Sequence, residues 1–131
     1  MTSDQGLQRL SIENNLLIIE GRGAWRLSDI TRSHTQLSKD LETLHSSTWG
    51  VLLLLKGDSI IIPEARERLI EIVKVDKTKG RKATALVLTD CSVPNLVAAH
   101  LNDLYSNAGD EFEEFTDIDS AKKWLNEKIR C

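Results

Sequence analysis

Polar and apolar positions change their period several times along the chain, and each change marks an element. Leu10-Ser11-Ile12-Glu13 alternates, Asn14-Asn15 supplies two residues tolerant of positive φ, and Leu16 to Ile19 resumes an apolar, partly β-branched run. This pattern predicts a tight hairpin of two antiparallel strands. Gly21-Arg22-Gly23 interrupts it and is expected to let the second strand bend and exit. Leu27, Ile30, His34, Leu37, Leu41 and Leu44 then recur at three- and four-residue steps, which predicts a helix from about Ser28 to Ser46 with one apolar stripe.

Val51 to Leu55 is a continuous apolar run between Gly50 and Gly57, the pattern of a strand covered on both faces and hence of the sheet centre. Pro63 has the fixed φ of a first helical turn, Glu64 beside it complements the helix dipole, and Ala65, Leu69, Ile72 and Val73 give that helix an apolar face ending by Gly80. Ala83 to Leu88 reads as a second buried strand. Ser92 with Pro94 is expected to open a further helix whose Val97, Leu101 and Leu104 face inward, stopped by Asn107 to Gly109. Phe112 and Phe115 bracket a short acidic edge strand. Asp117 then caps a last helix buried through Ala121, Trp124, Leu125 and Ile129. A hairpin followed by alternating helices and strands with short joins predicts an α/β fold: a mostly parallel sheet of about five strands with helices on its faces.

The 131 residues fit one domain spanning 1–131. Hydrophobic residues make up 40 % and charged residues 28 % of them, a balance that excludes disorder and an integral membrane segment. Seventeen basic against twenty acidic side chains leave a net charge of −3, so no overall positive field gathers phosphate backbones and nucleic acid is not an expected partner. The stretch Met1 to Leu10 lacks the apolar run of a secretory signal, and Cys91 and Cys131 form no disulfide framework, which together predict a cytoplasmic location. Charge is nonetheless segregated. Lys74, Lys77, Lys79, Arg81 and Lys82 form a basic run and Asp110, Glu111, Glu113, Glu114, Asp117 and Asp119 an acidic one, expected to be two solvated surfaces.

In an open α/β sheet ligands sit beyond the carboxyl ends of the strands, which singles out Gly21 to Arg26, Lys56 to Ile62 and Thr89 to Pro94. Gly21-Arg22-Gly23 lacks the third glycine of a dinucleotide turn, and no glycine-rich lysine loop occurs. Cys91 is the best nucleophile candidate, since a thiol between a strand end and a helix start meets amide donors and a helix dipole. His34, His45 and His100 show no zinc spacing, so neither metal nor cofactor is expected. Asp58 and Asp90 follow the two central strands and are read either as paired carboxylates or as turn-formers. Ile60-Ile61-Ile62 is read either as a docking surface or as a lid on the core. From these, the candidate partner surface is Asp58, Ser59, Ile60, Ile61, Glu64, Arg66 and Arg68, and the candidate ligand pocket is Trp25, Arg26, Asp90 and Cys91.

The opening hairpin at Asn14-Asn15, the strand Val51-Leu52-Leu53-Leu54-Leu55-Lys56, the strand Ala83 to Asp90, and the closing Phe115-Thr116-Asp117-Ile118-Asp119-Ser120-Ala121-Lys122-Lys123-Trp124-Leu125 together resemble the STAS domain, the fold of bacterial anti-sigma-factor antagonists, and more closely its SpoIIAA-like (STAS/Sec14-like) group. The resemblance runs over nearly the whole chain and implies a SpoIIAA-like β-α superhelical sandwich. That family's regulation rests on a phosphorylatable serine in an Asp-Ser-Ser-Gly-like turn at the start of the helix after the central strand. Here the corresponding stretch reads Ile62-Pro63-Glu64-Ala65, with Glu64 in the serine's place, and Ser59 lies several residues too early to take that role.

Three readings follow. The first is a non-enzymatic regulatory or protein-binding module with a protein partner. The second, from the Sec14-like side of the resemblance, is a carrier of a small apolar or lipid ligand. The third is an enzyme using Cys91 or the Asp58/Asp90 pair. Short edge strands and segregated charge also favour pairing of two copies as a homodimer.

Overall fold

The computed structural model of the protein describes residues 6–23, 47–57, 61 and 63–130. Strand β1 (Gly6–Glu13) turns through Asn14-Asn15 into β2 (Leu16–Arg22), and the two pair antiparallel with Leu10 opposite Ile19. Asn14 takes φ 57°, a left-handed conformation that its short polar side chain tolerates. Strand β3 (Trp49–Lys56) runs parallel to β2 and occupies the centre of a five-stranded sheet ordered β1-β2-β3-β4-β5. All of its residues but Leu54 and Lys56 are buried, as the unbroken apolar run predicts for a strand covered on both faces.

Helix α1 (Pro63–Lys77) follows β3. Pro63 sits at its start, Glu64 lies in its first turn, and Lys74 and Lys77 lie in its last, an arrangement that complements the dipole at both ends. Ala65, Leu69, Ile70 and Val73 form its buried face. Gly80 makes the turn into β4 (Arg81–Thr89): its φ is 103°, and a Cβ there would stand 2.2 Å from the Ser47 carbonyl oxygen. Helix α2 (Pro94–Asn107) leads to β5 (Glu111–Phe115), which pairs parallel with β4, and α3 (Ile118–Arg130) follows. The α2 N-cap is Val93, with no side-chain cap, so Ser92 does not serve as the expected starting residue. Asp117 does cap α3, its Oδ2 accepting the Ser120 amide at 2.9 Å.

Successive right-handed crossovers between neighbouring parallel strands place their helices on the same side. The core divides accordingly. On one face Leu53, Leu55, Leu86, Val73, Leu101 and Leu104 pack beneath α1 and α2. On the other Leu52, Ala83, Ala85, Ala121 and Leu125 pack beneath α3, which runs so close to β3 that a Cβ on Gly50 would lie 3.0 Å from Leu125 Cδ2. The predicted α/β sheet, with its hairpin, five strands and mostly parallel pairing, is the observed one. The helix predicted from Ser28 to Ser46 lies outside the described residues.

Candidate functional site

Parallel strands put all their carboxyl ends at one edge of the sheet, and the chemistry of the two edges differs. At the amino edge charged side chains are buried together. Arg81, on the first residue of β4, donates from Nε to Asp110 Oδ2 at 3.2 Å and from NH1 to Asp76 Oδ2 at 3.3 Å. Its NH2 also donates to Thr84 Oγ1 at 2.6 Å, and the Thr84 hydroxyl passes its own hydrogen to Asp110 Oδ2 at 2.6 Å. Lys77 Nζ reaches Asp110 Oδ1 at 3.1 Å and the Lys82 carbonyl at 3.0 Å.

Two cations therefore face two carboxylates, with the Arg81 guanidinium 5.6 Å from the Tyr105 ring centre and 5.9 Å from that of Trp49. Burial pushes the Tyr105 hydroxyl up to about 12, opposed by Arg81 and reinforced by Asp110. Within this group each charge meets its opposite, which is the condition under which a buried ion pair holds. The network fastens the ends of α1 and α2 to β3, β4 and β5.

The two charge runs of the sequence are thus not two separate solvated surfaces. Lys77 and Arg81 of the basic run meet Asp110 of the acidic run inside the protein, and Lys128 of α3 reaches Glu111 at 2.6 Å. Parallel pairing of β4 with β5 brings the start of each strand to the same place, and linear charge patterning cannot show that.

At the carboxyl edge the side chains are less enclosed. A hollow of about 220 Å³ opens on the α3 face, lined by Glu20 of β2, Leu54 and Lys56 of β3, Val87 and Thr89 of β4, and Ile118 at the start of α3. Lys56, Thr89 and Ile118 are exposed, while Glu20 and Leu54 are half-buried. Gly23 follows β2 with φ 67° and donates its amide to the Lys56 carbonyl at 3.2 Å, so the chain bends there as expected.

The residues predicted as sites disperse. Cys91 is a half-buried reduced thiol packed against the α1/α2 core, the opposite face from the hollow. Asp90 is exposed with φ 52°, a left-handed conformation suited to a turn-former. Trp25 and Arg26 lie outside the described residues, as do Asp58, Ser59 and Ile60. Ile61 is 4 % exposed and belongs to the core beside Ala65 and Leu69. It therefore seals the core, and its place in the candidate docking surface is withdrawn.

Arg66 is half-buried and donates to Asp103 Oδ2 of α2 at 2.6 Å, whereas Glu64 is exposed and Arg68 partly so, 3.6 Å from Glu71. Among the described residues no histidine, cysteine, aspartate and glutamate side chains gather as a metal-binding group. Sequence reading missed Glu20 and Ile118, and it singled out the segments that begin at Lys56 and Thr89 without naming those two residues as site residues. The available signal was parity, since residues two apart on a strand share a face and Lys56 and Thr89 continue the faces of Leu54 and Val87.

A hairpin-led sheet in chain order, with α1 and α2 on one face and α3 on the other, is a SpoIIAA-like fold. The chain is similar to the crystal structure of an uncharacterized protein of the DUF3478 family with a SpoIIAA-like fold from Shewanella loihica PV-4, with a TM-score of 0.62 and 17 % identity over 95 % of this chain and 98 % of that one. At that identity the likeness is one of fold. No protein-family model matches the chain, and no curated protein matches it. No helix among the described residues is long and apolar enough to cross a membrane.

Proposed function

We propose that the chain is a non-enzymatic regulatory module of STAS type that binds a protein partner through the outward side of the first half of α1. The observation that supports this is how that half-helix is held. Ala65, Leu69, Ile70 and Val73 fix it to the sheet and the Arg66–Asp103 pair at 2.6 Å fixes it to α2, while Glu64, Glu67 and Arg68 face outward. A rigid element that displays charge loses little conformational freedom when a partner docks. Glu64 stands where the resemblance places a phosphorylatable serine and supplies a permanent negative charge, so capture of the partner requires no kinase.

A lipid carrier fits less well. Ligand pockets usually enclose about 300–1,000 Å³, and the hollow at the carboxyl edge measures about 220 Å³.

The test is quantitative capture from cell lysate by immobilised wild type, by Glu64→Lys combined with Arg68→Glu, and by Lys123→Glu on α3 as a control. The proposal expects a defined retained protein whose recovery falls at least ~10-fold with the α1 charge reversal and is unchanged in the control, with melting temperatures alike. Equal retention by all three proteins, or none by the wild type, would overturn it.

A further inference from the structure

The hollow at the carboxyl edge has a charge pattern that selects a class of ligand, and it lies on the face of the sheet opposite α1. Arg22 of β2, Lys56 of β3 and Thr89 of β4 are register partners across three adjacent strands. Glu20, Leu54 and Val87 are register partners two residues earlier. Because side chains two apart on a strand share a face, both rows project on the α3 side. The inner row gives the hollow an aliphatic floor, Leu54 and Val87, against which Ile118 forms a wall with 42 % of its surface exposed.

Of the outer row, Lys56 and Thr89 line the mouth, and Arg22 is the exposed register partner beside Lys56. Thr89 Oγ1 donates toward the Leu55 carbonyl at 3.5 Å, which leaves its lone pairs to accept. The acids nearby are accounted for. Glu20 is half-buried and has an interaction of its own, and Asp117 caps α3. An aliphatic floor with a cation at its open end suits an anion with a short apolar tail. The 220 Å³ volume lies below the roughly 300 Å³ at which pockets for drug-sized ligands begin, enough for a small organic acid and too little for a membrane lipid.

From this we infer that the hollow binds a small monocarboxylate, its head group held by Lys56 with Arg22 alongside and its tail on Leu54, Val87 and Ile118. The site is independent of the proposed α1 surface: it shares no residue with it and faces the other way. A carboxylate so small binds weakly, with a dissociation constant on the order of 1 mM, so its occupancy tracks the local concentration of organic acid.

The experiment is a titration of the full chain followed by amide chemical shifts, with hexanoate as the probe and hexan-1-ol and hexylamine as matched neutral and cationic controls. Saturable shifts at Gly21, Leu55, Val87 and Ile118 are expected with hexanoate, at least ~10-fold weaker with the alcohol, and none with the amine. Lys56→Gln should weaken hexanoate binding about tenfold while keeping the melting temperature, since Lys56 is exposed. Glu20→Gln, which removes a like charge from the lining of the hollow, should tighten it.

Equal response to the alcohol, preference for the amine, shifts located elsewhere, or no saturation at tens of millimolar (roughly ten times the expected constant) would overturn the inference. None of these results bears on capture of a protein by α1, so the two proposals fail separately.

Discussion

The amino and carboxyl edges of the sheet solve the same problem in opposite ways. Both carry charged side chains on neighbouring strands, yet at the amino edge Arg81 and Asp110 have side chains 5 % and 0 % exposed, whereas at the carboxyl edge Lys56 and Arg22 stand in solvent. A buried charge persists only where its partners are fixed in place, so the amino edge is committed to holding elements together. An exposed charge beside an aliphatic hollow is under no such constraint and is available to a ligand. Burial and pairing, more than charge itself, separate the scaffold of this protein from its candidate site.

The contrast can be broken most forcefully at Asp110. Asp110→Ala leaves Arg81 and Lys77 without their shared carboxylate and is expected to cost about 3–5 kcal/mol, measured by urea unfolding. A loss under about 1 kcal/mol would mean that the network contributes no more than a surface pair.

Tyr105 gives the next effect. Its hydroxyl ionises at about 12 in the folded protein against 10.0 ordinarily, so its contribution to stability is complete below pH 10, is lost as pH rises through that interval, and amounts to about 2–3 kcal/mol. Tyr105→Phe should flatten that part of the stability-against-pH curve, and an unchanged alkaline slope would assign the loss to other groups.

The carboxyl edge should respond least. Asp117→Ala removes the α3 cap and is expected to lower the melting temperature slightly at neutral pH. Hydrogen bonds from Ser120 hold the Asp117 carboxyl below its usual 3.8, so its contribution is present above that value and fades as pH falls below it. The gap between wild type and variant should therefore close in acid, and a gap that persists there would show that charge plays no part in the cap.

The regular elements were legible because their signals are local. Val51 to Leu55 needed only its unbroken apolar run, Asn14-Asn15 only a turn between two such runs, and α3 only its stripe through Ala121 and Leu125. The amino-edge network was not legible, because Arg81 and Asp110 are 29 positions apart and meet only through the pairing of β4 with β5. The same limit left Ile61 open between docking surface and core lid, and only the room beneath α1 decides for the lid. It also drew attention to Cys91 and Asp90, when the neighbouring Thr89 is the residue that faces the hollow. Alternation along single strands contained that information, but only the registers of β2, β3 and β4 showed that Arg22, Lys56 and Thr89 share one row.

The order of strands in the sheet is also their order in the chain. Each new strand adds to a border already completed by its predecessor, and nothing has to be inserted between strands that have already joined. Contacts between neighbours in sequence close short loops, which is the cheapest way to assemble a parallel sheet. A nascent chain emerging amino end first can build this sheet from the hairpin outward, with α3 arriving last to cover the remaining face.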